Sequence, residues 1–180
     1  MPEMPKTRPV PVKDLALDLG NYRTVRQDSE VSAVEAMIST SPDRFWALTE
    51  SLLQDGYLPT ESVIVLRNGP ALGELTVKEG NRRVAALKLI HGLLPLTGLS
   101  VPDGITAQIA AISAAWRRDN KAVPCTIYAP ADAATDERIV TLAHGKGEKA
   151  ARDQWNAVAR ARHHREANGA SEPALDLLEK

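Results

Sequence analysis

The chain has 180 residues, 43% of them hydrophobic and 25% charged, which suffices for one buried core and a small helical appendage. A net charge of -1 argues against a protein that coats nucleic acid by bulk electrostatics, and the single cysteine, Cys125, excludes an internal disulfide framework or a cysteine-rich zinc site. No apolar run is long enough to span a bilayer and the N-terminus has no apolar signal-peptide core, so a cytoplasmic protein without a membrane partner is expected.

Residues 1–9, rich in proline and polar groups, are expected to form a flexible lead-in. Val10 to Leu17 reads as a first strand and its exit. From Gln27 to Thr40 the apolar positions Val31, Val34, Met37 and Ile38 fit a helix. Ser41 and Pro42 are a helix start, with serine at the N-cap and proline at the first helical position. Phe45, Leu48, Leu52 and Leu53 follow at helical spacing, Gly56 supplies a stop, and Trp46 is expected to pack. Val63 to Leu66 is a short apolar strand, Asn68-Gly69-Pro70 is turn chemistry, and Leu75 to Lys78 is the hairpin partner.

A helix then runs to Ile90 on Val84, Leu87, Leu89 and Ile90, with Gly92 at its end and His91 placed to compensate the helix dipole. Leu93 to Gly104 is a loop. Ile105, Ile109, Ile112 and Trp116 predict one helix from Ile105 to Arg118, whose end Arg117 and Arg118 favour. Val123 to Tyr128 reads as a strand in which Cys125 is expected to be a buried structural thiol, against the alternative of a nucleophile. Further helices are expected over 132–143 and 148–167, separated by Gly145 and Gly147 and stopped at Asn168-Gly169. The domain reading is a lead-in over 1–9, a core over 10–130, a helical extension over 131–169 and a tail over 170–180 that suits a domain cut from a longer chain.

The most informative stretch is Leu75 to Ile90, a strand, a glycine turn and a helix that opens on two arginines. The first turn of a helix carries backbone N-H groups without intrahelical partners and the positive end of the dipole, which suits anions. Gly80, Asn81 and the following amides are placed to cradle phosphates, and Arg82 and Arg83 add fork-shaped donors. Glu79 sets a carboxylate beside them, able to hold a metal ion or take a proton. The alternative is an ordinary capping and salt-bridge arrangement. At a second place, His144 and Lys146 stand among Gly145 and Gly147, where they can donate to phosphate or act as acid and base, or form a plain inter-helix loop. Between Arg138 and Glu166 seven basic residues face three acidic ones, a net +4, so Arg152, Arg160 and Arg162 are candidate contacts to DNA or a partner, against the alternative of a solvated helix face.

The turn Glu79-Gly80-Asn81-Arg82-Arg83 resembles the acid-Gly-x-Arg/His-Arg turn of the ParB/sulfiredoxin-like superfamily. Val10 to Arg23 looks like that family's first strand and Asn-x-Arg turn, Leu48 to Pro59 with Ser62 to Leu66 its helix-Gly-strand unit, and Val123 to Tyr128 its Pro-containing strand. The resemblance covers residues 10–166 and implies an α/β (α+β) fold, a small mixed sheet flanked by helices with a helical C-terminal extension. It also implies a nucleoside triphosphate such as CTP or ATP bound with Mg2+, Arg23 among the nucleotide ligands, and a DNA-associated role.

Departures from the family pattern narrow this. Asn81 replaces a glutamate usual in the CTP-dependent members, and Ala143 to Gly147 stands where they carry Glu-Asn-x-x-Arg, which counts against CTP hydrolysis and a DNA-clamp cycle. The turn lacks the cysteine of sulfiredoxins, while Glu79, Gly80 and Arg83 keep counterparts in the free-serine kinase branch. The resulting expectation is a nucleoside-triphosphate-binding domain in which Glu79 and His144 would serve any hydrolysis or phosphoryl transfer. The rival is a non-catalytic adaptor that binds DNA or protein through the basic helix. A phosphotransferase or nuclease of the same superfamily ranks third, and homodimerisation stays open.

Overall fold

Alternating apolar residues at Val63 and Val65, at Val77, and at Val123 and Cys125 are all wholly buried, and their strands make the middle of a five-stranded sheet. The computed structural model describes residues 6–20, 26–59, 62–67 and 75–128, all within the unit Met1–His144. The helices expected over 132–143 and 148–167, and the tail, lie outside the described residues. The strands are β1 (Lys6–Pro11), β2 (Leu15–Leu17), β3 (Val63–Arg67), β4 (Leu75–Glu79) and β5 (Ala122–Tyr128), in the order β1-β5-β3-β4-β2. β1 is antiparallel to β5 and β3 to β4, whereas β3 and β5, and β2 and β4, are parallel. This is the mixed sheet that the resemblance implies, and its elements come in the implied order.

The first strand begins at Lys6, inside the stretch read as a flexible lead-in, because Lys6 to Pro11 pairs along Ile127 to Ala122. Pro9 lies opposite Pro124 in that register, which confines the missing N-H donors to one step of an edge ladder. A 3-10 turn over Val12–Asp14 then swings the chain from one edge of the sheet to the other, where Leu15 and Leu17 enter the core.

The helices are α1 (Glu30–Thr40), α2 (Pro42–Asp55), α3 (Asn81–Ile90), α4 (Ile105–Ala111) and α5 (Ala114–Asp119). Ser29 caps α1 by accepting the Ser32 N-H at 3.1 Å. Ser41 stands at the N-cap of α2 without a side-chain cap bond, and Pro42 supplies the start through its fixed φ. Trp46 packs, as expected, edge-on to Phe45 with centroids 5.1 Å apart. Gly56 ends α2 at a φ of +73°.

α3 is buried on nearly every side, with Val84 to Leu87, Leu89 and Ile90 all shielded. The single helix expected from Ile105 to Arg118 is two. Ile112 takes an extended ψ of 139°, and Ser113 restarts the chain as a cap that accepts the Trp116 N-H at 3.0 Å. Arg117 does more than favour a helix end, since it donates to Ile90 O at 2.9 Å and Ile109 O at 3.2 Å and so ties α5 to α3 and α4.

Candidate functional site

The strand-turn-helix expected from the sequence is present. β4 ends at Glu79, Gly80 takes a φ of +98°, and α3 begins at Asn81. A left-handed turn is what lets the chain reverse from strand into helix within one residue, and it is cheap only for glycine. The turn is also tightly enclosed. A Cβ at position 80 would lie 3.3 Å from Val63 Cγ2 and 3.5 Å from Arg83 Nη2.

Glu79, Gly80, Asn81, Arg82 and Arg83 are thus brought together around one helix start. Gly80, having no side chain, leaves the first amides of α3 without a side-chain cap from that position. Arg82 and Arg83 are half-buried rather than extended into solvent. Arg83 Nη2 lies 3.7 Å from Glu79 Oε1 on the same side of the turn, with side-chain exposures of 17% and 28%. That separation is longer than a hydrogen bond.

The side chain of Asn81 is engaged. Its Oδ1 accepts the Asp18 N-H at 2.9 Å and its Nδ2 donates to Val77 O at 3.0 Å, so the side-chain amide is committed within the protein. These bonds exist because β2 runs parallel to β4, with Leu17 beside Val77, so the strands deliver Asp18 and Lys78 to the same end of the sheet. Lys78 Nζ meets Asp18 Oδ2 at 3.2 Å, and Asp18 Oδ1 accepts the Gly20 N-H at 3.0 Å. Farther along, Lys88 on α3 makes a two-pronged pair with Glu30, at 2.6 and 2.7 Å, and Glu30 Oε1 also accepts the Leu17 N-H at 2.7 Å. Sequence reasoning missed Asp18, Lys78, Glu30 and Lys88. The available signal was a lysine flanked by Leu87 and Leu89 within the apolar run Val84 to Ile90, a position that needs a carboxylate partner when buried.

Among the other expected site residues, Arg23, His144, Lys146, Arg152, Arg160 and Arg162 lie outside the described residues. Among the described residues no group of three His, Cys, Asp or Glu side chains could hold a metal ion. Glu79 is therefore a single-carboxylate donor, which suits Mg2+ only when phosphate oxygens or water complete its shell. The described helices include none long and apolar enough to cross a membrane.

Two further groups are settled by their surroundings. Cys125 is wholly buried, and burial pushes its thiol up to about 12 against a smaller opposing effect of Arg8, so it is the inert structural thiol expected. His91, expected to compensate the dipole, stands at the C-cap of α3 in surroundings that favour its neutral form. Burial lowers its pKa, the Asn120 carbonyl 3.0 Å from Nε2 works against that, and Arg117 adds to the lowering. Its ring packs 5.6 Å from that of Trp116. A groove of about 360 Å³ opens beside Leu53, Gln108, Ile112 and Trp116, and no residue of the Gly80 turn lines it.

The chain matches no family model and no curated protein. Among solved structures it is similar to the C-terminally truncated chromosome-partitioning protein ParB from Caulobacter crescentus complexed with CTP-gamma-S, at a TM-score of 0.47 and 17% identity, over 92% of this chain and 66% of that one.

Proposed function

We propose that the domain binds a nucleoside triphosphate through its phosphates at the turn between β4 and α3. The observation that carries this reading is the left-handed Gly80, which sets the first turn of α3 at the end of β4 with Arg82 and Arg83 beside it. Backbone amides and the helix dipole would hold the phosphate oxygens, and the two guanidinium groups would neutralise them. Glu79 would take Mg2+ together with those oxygens, and the ion would supply charge neutralisation to phosphoryl transfer. On the same reading Glu79 orients a water or substrate hydroxyl, Arg23 and Lys146 add charge to the phosphates, and His144 serves as acid or base. The net +4 between Arg138 and Glu166 supports a DNA-associated setting in which Arg152, Arg160 and Arg162 contact phosphate backbone.

The test is calorimetric titration of CTP, ATP, GTP and UTP, with and without Mg2+, on the full chain and on Arg82→Ala/Arg83→Ala. Saturable binding that the double variant loses is the expected result. Nucleotide binding unaffected by that variant would place the site elsewhere, and no binding by any nucleotide would remove the reading in favour of an adaptor.

A further inference from the structure

The chemistry next to the turn contains an acid that ought to oppose an anion. Asp18 leaves β2 with its backbone N-H bonded to the Asn81 side chain, which ties the residue to the start of α3, while its carboxylate meets the Gly20 N-H and Lys78 Nζ. A carboxylate at a helix N-terminus competes with a bound anion for the same positive end. Lys78 meets this carboxylate at 3.2 Å, with both side chains only about one-fifth exposed, at 22% and 20%. Lys78 lies on the strand that leads into the turn, two residues before Gly80, and so is delivered by the same element that delivers the site.

We propose that Lys78 is a specificity-determining residue that acts on a bound phosphate through Asp18: it cancels the Asp18 charge beside α3, while Asn81 holds Asp18 in place. This rests on the phosphate reading above. On this arrangement Asn81 is a positioning residue, because its amide joins β2, β4 and α3 in one chain of hydrogen bonds rather than touching a ligand. With Asp18 neutralised, the turn accepts a highly charged anion. With Asp18 uncovered, the affinity for anions falls, and falls most for the most highly charged.

The experiment is a double-substitution cycle on the full chain, read by calorimetric titration with inorganic tripolyphosphate and with CTP. Lys78→Met is expected to weaken tripolyphosphate binding about two- to fivefold, the range for one uncompensated charge near a helix terminus. Asp18→Asn, which keeps the acceptor for the Gly20 N-H, is expected to bind at least as tightly as the unaltered protein. Lys78→Met/Asp18→Asn is expected to recover the unaltered affinity, and the deficit of Lys78→Met is expected to shrink as salt is raised. A purely structural lysine would show neither the rescue nor the salt dependence. Lys78→Gln repeats the cycle should the methionine variant fold poorly. Equal weakness in Lys78→Met and the double variant would overturn the proposal, placing Lys78 on the anion itself where that weakness is salt-dependent and in a structural role where it is not. Unchanged affinity in Lys78→Met would also overturn it while leaving the phosphate site standing. Absence of any heat from the unaltered protein would remove the site reading and this inference together.

Discussion

Replacing Gly80 by alanine tests whether the turn is as constrained as its geometry indicates. A non-glycine residue at a φ of +98° costs about 2 kcal/mol in backbone strain. The new Cβ would approach Val63 Cγ2 to 3.3 Å, and Val63 is wholly buried, so relief requires the core to move at a cost of about 1 kcal/mol. Against this, alanine narrows the unfolded ensemble and gives back about 0.7 kcal/mol. The net expectation is a loss of about 2 kcal/mol. Urea denaturation followed by circular dichroism should show a midpoint lower by about 1 M with an unchanged slope. In a Val63→Ala background the added loss from Gly80→Ala should shrink by about 1 kcal/mol, because the steric share has gone and the backbone share has not. A midpoint within experimental error of the unaltered protein would refute the assignment of Gly80 to a strained turn, and with it the geometry on which the phosphate site depends.

Lys88→Met should cost about 2–3 kcal/mol, because it leaves the Glu30 carboxylate, 28% exposed, without its cation. Lys88→Met/Glu30→Gln should recover most of that, since glutamine still accepts the Leu17 N-H; denaturant midpoints that fail to separate the two variants would show the pair to be dispensable. His91 has a pKa below its ordinary 6.5 in the folded protein, so its contribution to stability is present above pH 6.5 and is lost as the pH falls through the folded value. Urea midpoints measured from pH 7.5 to 5 should therefore fall, and His91→Gln should flatten that fall; an identical slope in the variant would sink the assignment.

Local chemistry was the legible part of this chain. The Gly80 turn, the start of α2 at Ser41-Pro42, its stop at Gly56 and the hairpin of β3 with β4 all follow from residues a few positions apart, and the structure has them. Illegible were the effects that need a partner far away in sequence. β1 starts early because β5, more than a hundred residues later, offers it a ladder. The break at Ile112 falls inside a faultless apolar period, and it stands because Ser113 caps the next turn while Arg117 reaches Ile90 and Ile109. His91 looked like a dipole partner until Trp116 and Asn120 were folded against it.

The same distinction bears on where nucleotide selectivity would reside. α3 is gripped by the sheet, by α2 and by the Lys88 pair with Glu30, so its first turn is organised before any ligand arrives and little ordering is needed on binding. What that turn offers is phosphate chemistry: amides, two guanidinium groups and a carboxylate. The one side-chain amide there that resembles a base-reading group, Asn81, is committed to Asp18 and Val77. A phosphate tail is common to all four nucleotides, so on the proposed function the turn supplies affinity without choosing among bases. Choice then falls to segments that enter the site from elsewhere in the chain. A base preference that survives Arg82→Ala/Arg83→Ala at reduced affinity is the signature of that division, whereas loss of preference together with affinity would mean that the turn itself reads the base.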